Sequence, residues 1–165
     1  ITLAVAAILA SLAAPSFTNI IKNTRMTTQY NELLTAISVT RSEAIRQATD
    51  VIILSNNGNN WEDGWTIYID QDGDNTVASA EIIRVNGPIS GGNTLSSDTG
   101  GEITFHASGL GGIAGTFTFC DDRSSPAQYA KALILNSSGR ARAATDSNGD
   151  GIVENRNNNN VSCPS

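Results

Sequence analysis

Ile1-Thr-Leu-Ala-Val-Ala-Ala-Ile-Leu-Ala-Ser-Leu-Ala-Ala14, followed at once by Pro15-Ser-Phe17, decides the architecture. The run is apolar on every side, broken only by Thr2 and Ser11, whereas a helix lying on a surface would carry polar residues at regular intervals. Its 14 residues fall short of the roughly 20 that cross a bilayer, so a few more apolar residues upstream of Ile1 are expected to complete a span. The core of a cleaved signal peptide would be followed by a small-residue cleavage site and a change of character. Here the helical pattern continues instead. Pro15 removes a backbone donor and crowds the preceding turn, which predicts a kink. Beyond it Tyr30, Leu33, Leu34, Ile37, Ala44, Ile45 and Ala48 recur three and four apart, the stripe of an amphipathic helix. Arg41 falls on the same stripe and needs a charged or carbonyl partner, as an arginine at the edge of a core does.

After Asp50 the period changes to that of strands. Residues 51–54, 65–69, 81–85, 102–105, 116–119 and 132–135 read as strands separated by Gly-, Asn- and Ser-rich connections, with a short last strand at 140–143. The second and third flank an acidic turn and should form a hairpin. A single α+β domain follows: a kinked helical spine whose second half packs on an antiparallel sheet of six or seven strands. With 165 residues there is no room for two comfortable domains, and the 15 glycines belong to the turns.

The net charge of −6 argues against general affinity for nucleic acid, so any such binding must come from a local basic patch. Cys120 and Cys163 lack the companions of a zinc site. In an oxidising compartment they would pair, and closing a loop of about 43 residues would stabilise the head by roughly 4 kcal/mol; free buried thiols are the alternative. His106 is the one histidine and has no nucleophile motif around it, so no enzyme is expected. Trp61 and Trp65 could stack on bases or sugars, but flanking a hairpin strand they read more simply as core.

Two acidic stretches carry calcium-loop spacing. Asp70, Asp72 and Asp74 stand at positions one, three and five, with Glu81 at position twelve and Asn75 where glycine is usual. Asp146, Asn148, Asp150 and Gly151 begin a second loop, with Asn157 at its twelfth position. Tight turns favour the same residue types, and neither stretch has flanking helices. Calcium is the only cofactor these residues suggest. Gly139-Arg-Ala-Arg142 is the basic signal: in an extended segment Arg140 and Arg142 point to one side, and each guanidinium forms a fork that matches phosphate oxygens. Arg123, Lys131 and Arg156 would extend the patch if the fold brings them near. The plain alternative is a charged edge strand that deters pairing.

In its order of elements and in its details the chain resembles the FimT/FimU minor type IV pilins and the related GspH pseudopilins. The resemblance rests on Ala14-Pro-Ser-Phe17, Asn31-Glu-Leu33, Arg41-Ser-Glu-Ala-Ile45, Trp61-Glu-Asp-Gly-Trp65 with Asp70, Phe119-Cys120, Ser138-Gly-Arg-Ala-Arg142 and Cys163. It implies the type IV pilin fold, with residues 1–22 as the membrane-spanning and filament-core half of the helix and residues 23–165 as a periplasmic head. It implies a single-pass inner-membrane protein that joins other pilins through its helix. The prepilin peptidase site, the methylated amino end and a filament-registering glutamate would lie before Ile1. Lys22 and Arg25 follow the apolar run on its outer side, so the orientation must be set upstream. Among FimT-like pilins the Gly-Arg-x-Arg segment is associated with capture of DNA for natural transformation, which transfers to Arg140 and Arg142. The alternatives are a minor pilin that primes assembly, adhesion or twitching without DNA, and a minor pseudopilin of type II secretion.

Overall fold

The computed structural model describes residues 2–74, 76–123 and 126–164, and for residues 2–16 and Pro126 only the backbone elements. A single helix, α1, runs Thr2–Gln47. The expected kink at Pro15 lies outside what is described. Among the described residues no helix is long and apolar enough to cross a membrane, and the run before Phe17 lies outside that statement.

From Phe17 to Ile21 the large side chains of α1 are exposed, and the buried face begins at Met26 and continues through Gln29, Leu33, Ala36, Ile37, Thr40 and Ala44. These positions recur three or four apart, so one stripe faces the head. Ile45 and Ala48, assigned to that stripe from sequence, do not lie on it: Ile45 is 52% exposed, and Ala48 has left the helix with φ of 51°. The reason is a helix stop. Thr49 N–H bonds back to Ala44 O at 3.3 Å and Ala48 N–H to Ile45 O at 3.4 Å, the paired bonds of a Schellman motif, with alanine where glycine is usual.

Among the described residues eight strands follow: β1 (Val51–Ser55), β2 (Trp65–Tyr68), β3 (Ile82–Asn86), β4 (Thr94–Ser97), β5 (Glu102–Phe105), β6 (Gly115–Cys120), β7 (Lys131–Leu135) and β8 (Ala141–Ala143), with a short helix α2 (Pro126–Tyr129) before β7. They form two four-stranded antiparallel sheets, β3-β2-β1-β5 and β4-β6-β7-β8, not the single sheet expected. The predicted hairpin is β2 with β3. β4 was not anticipated, because Thr-Leu-Ser-Ser offers a single apolar residue, Leu95, and pairs with a strand 20 residues further on.

Register explains the core. Ile53 faces Ile67 on one side and Ile103 on the other, and Val51 faces Phe105. In the second sheet Phe117 faces Leu133 and Gly115 faces Leu135. These alternate residues share one face, and that face packs with Leu33, Ala36 and Ile37 into one buried cluster. Trp61 and Trp65 belong to it, as their packing role required: Trp61 lies edge-on to Phe117 at 4.9 Å and donates its indole N–H to Gly100 O at 2.7 Å. The outer face of the second sheet is also covered. Cys120, Ala130 and Ala132 pack with Val161, and Ile152, Val153 and Cys163 flank them. The Cys120–Cys163 disulfide, with Cα atoms 5.8 Å apart, straps the last residues across that face.

Candidate functional site

The basic segment follows the β7–β8 turn. Asn136 N–H bonds to Arg140 O at 3.0 Å, and Gly139 closes the turn with φ of 73°. A side chain on Gly139 would run into Gly109 O, so the glycine lets this turn pack against the turn at 106–112. Gly111 N–H reaches Ser137 O at 3.1 Å across that junction. Arg142 pairs with Ile134, and therefore stands on the outer face of the second sheet, opposite the core. Arg140 and Arg142 are both exposed, and β8 is an edge strand.

The other basic residues are placed differently. Arg156 shares the outer face through its N–H to Thr116 Oγ1 at 3.1 Å, since Thr116 faces Ile134. Its guanidinium is turned to Asp98 at 3.6 Å, on the β4 side of the sheet. Lys131 does not join the pair: it alternates with Leu133 and Leu135 on the helix side and lines a hollow with Asn23, Thr27 and Tyr30. Arg123 is half-buried, bonded to Asp121 and stacked on the Tyr129 ring at 3.6 Å. Arg140, just before β8, and Arg142, on the outer face of β8, are thus both exposed, whereas Arg123 and Arg156 are committed to carboxylates.

Arg41 finds its carbonyl partner in Gly109, whose oxygen accepts the Nε–H at 2.9 Å. Lys22 meets Asp122 at 2.6 Å, and Arg25 reaches Gly91 O at 3.2 Å. His106 pairs with Asp50 at 2.9 Å in an exposed position.

In the β2–β3 turn the carboxylates of Asp70, Asp72 and Asp74 offer oxygens that all lie within 4.8 Å of one another. Thr76 donates both its hydroxyl and its N–H to Asp74, and these bonds hold the Asp74 carboxyl below the usual carboxylate range. Tyr68 is pushed up, first by burial and then by the negative groups around it, Glu102, Asp70 and Glu81 among them. Glu81, expected as the fourth ligand, stands apart from this group. It is buried, and its two oxygens accept the N–H groups of Gln71 at 2.7 Å and Ala78 at 3.1 Å. Two donors satisfy the buried charge, so Glu81 closes the loop from inside. Asn75 lies outside the described residues.

The second loop repeats this plan with a residue that sequence reasoning missed. Asp146 accepts from Gly149 and Gly151, and Asp150 from Ile152. Here Glu154 is the buried carboxylate, taking Ser147 N–H at 2.8 Å and Asn148 N–H at 3.3 Å, while Asn157 is exposed. Counting to a twelfth position pointed past Glu154; the signal available was a lone acid between Val153 and Asn155.

Several known proteins are similar to this chain. The family described as type II transport protein GspH matches residues 29–139, more than half of the chain. The fold is similar to the type IV minor pilin FimU of Pseudomonas aeruginosa, with a TM-score of 0.61 and 20% identity over 75% of this chain and 91% of that one. It is also similar to the minor pseudopilin EpsH of the Vibrio cholerae type 2 secretion system, with a TM-score of 0.50 and 11% identity over 72% of this chain and 95% of that one. No curated protein matches by sequence. A long amino-terminal helix laid against antiparallel sheets is the type IV pilin fold, and with a family match across most of its head this chain belongs to the GspH family of minor pilins and pseudopilins.

Proposed function

We propose that this chain is a minor type IV pilin that holds DNA by its phosphate backbone, without sequence preference, for uptake in natural transformation. The observation that carries the reading is that Arg140, just before the edge strand β8, and Arg142, on it, are both exposed and have no carboxylate partner among the described residues. In a chain of net charge −6, Lys22, Arg46, Arg123 and Arg156 each meet a carboxylate. Arg140 and Arg142 are thus two exposed guanidiniums left for an outside anion to reach. Residues 1–22 form the half of α1 that sits in the inner membrane and then in the filament core with other pilins. Residues 23–165 form the periplasmic head, and the exposed Phe17, Ile20 and Ile21 are the surface that neighbouring helices cover.

The test is duplex-DNA binding by the full chain in detergent over a salt series. Binding should be weak and fall as salt rises, with a slope of about −0.9 for each phosphate engaged. Arg140→Ala/Arg142→Ala should abolish it. Equal behaviour of the two proteins assigns the chain instead to pilus priming, adhesion and twitching, or to type II secretion.

We also propose that Asp70, Asp72 and Asp74 hold a calcium ion, supported by their converging oxygens and by the hard oxygen ligands that calcium prefers. Millimolar calcium should raise the thermal midpoint, and Asp72→Asn should remove the rise. An unmoved midpoint in the parent chain overturns this proposal.

A further inference from the structure

Between α1 and the β7–β8 turn lies a hollow of about 270 Å³ lined by Ser38, Arg41, Ser42 and Arg140, with Ile37 and Ile45 supplying apolar wall. We infer that this hollow is an anion seat for a single phosphodiester group, with Arg41 and Arg140 as its two ligands. The inference deepens the DNA-binding reading and rests on it for the source of the phosphate. Four observations carry it.

First, Arg41 is pinned. Its Nε–H is fixed on Gly109 O at 2.9 Å, which orients the guanidinium and leaves both terminal nitrogens to donate. A fork held in place loses less freedom on binding than a free surface arginine does. Second, Arg140 lines the same hollow, delivered there by the Gly139 turn that packs on Gly109. Third, no acidic residue lines the hollow; Glu43, nearby in sequence, bonds with Arg46 and Gln47. Two arginines lining one hollow without a counter-charge favour an anion there. Fourth, the serines leave the site open to that role. Ser38 donates its hydroxyl to Leu34 O and Ser42 to Val39 O, and as uncharged groups they bring no negative charge into the hollow.

The size agrees. At about 270 Å³ the hollow has room for one charged group of a larger ligand. A lipid headgroup is the wrong source, because Arg41 lies 24 residues along α1 from Phe17, about 36 Å at the helical rise. Arg142, on the outer face of β8, would then meet a neighbouring phosphate of the same strand.

The decisive experiment follows the arginine Nε–Hε resonances of the full chain in detergent while inorganic phosphate is added, alongside DNA titrations over a salt series. Ser42→Glu places a carboxylate at the rim on an exposed helix position, and Arg41→Gln removes the pinned fork, with the thermal midpoint confirming that each variant is folded. Phosphate should shift the Arg41 and Arg140 resonances together and saturably, and Ser42→Glu should abolish both shifts. The magnitude of the DNA salt slope should drop by about one in either variant. If phosphate leaves Arg41 unmoved, or shifts Arg140 alone, the seat is refuted. If Arg140→Ala/Arg142→Ala abolishes DNA binding while Ser42→Glu leaves the slope unchanged, the DNA reading stands and the seat falls. If phosphate shifts both arginines yet the parent chain binds no DNA, the seat stands and the DNA reading falls.

Discussion

The two sheets solve the same packing problem with different means. β6, at the centre of the second sheet, is buried at all six positions, whereas β3, at the edge of the first, is exposed at four of its five. Both sheets turn one face to α1. The second has its other face closed by the carboxyl-terminal strap, and β3 has no such cover. Ile82, Ile83 and Val85 therefore face solvent, while Cys120, Ala132 and Ile134 do not. Burial in this head depends on what lies over a strand as much as on the apolar content of the strand itself.

If that contrast is correct, cutting the strap should cost most. Replacing Cys120 and Cys163 by serine releases a closure of 43 residues and should lower unfolding stability by about 4 kcal/mol. Hydrogen exchange should rise in β6 and β7 well before β1 and β2. Equal loosening of both sheets would mean that the strap serves the whole head. Leu33→Ala, at the face of α1 that serves the common core, should cost roughly 3 kcal/mol in chemical unfolding. Val85→Ala in β3 should stay within about 0.5 kcal/mol by the same measurement. A large loss there would show that the open edge is structural. Ala48→Gly should stabilise by about 1 kcal/mol, since an alanine held in the left-handed region carries that order of strain.

The smallest effect concerns the bridge from α1 to the connection after β6. Lys22 donates to Asp122, and this bond holds the Asp122 carboxyl below its ordinary value. A depressed carboxyl contributes stability that is present above its unfolded pKa, near 3.9, and is lost as pH falls through the lower folded value. Between pH 7 and about 4 the contribution should therefore stay level. Below that, the acid-unfolding slope should be slightly shallower in Asp122→Asn, and an identical slope would remove the bridge from the account.

Most of this fold was legible where local pattern and burial agree. The α1 stripe from Leu33 to Ala44 and the strands at Ile53, Ile67, Ile103, Phe117 and Leu133 all announce themselves by period. What escaped depended on partners distant in sequence. β4 is a strand because β6 lies beside it, and two sheets replace one because pairing, which decides sheet membership, leaves no local trace. Arg41 visibly needed a partner, yet that partner is a backbone carbonyl 68 residues away. Arg140 and Arg142 could be picked out from the sequence as its basic signal. The distance of Lys131 from them could not, because strand alternation relative to the core is known only once register is known. Glu81 and Glu154 were hidden for another reason: a buried acid serving backbone N–H groups has the same composition as one that awaits a metal.

The strap also imposes an order of events. β6 ends at Cys120, but its sulfur finds its mate only after the chain through Cys163 has been delivered and both thiols have met an oxidant. Until then Val161, Ile152 and Val153 are held over Cys120 and Ala132 without a covalent tie. Oxidation therefore locks in place a cover that packing and backbone hydrogen bonds alone must otherwise hold.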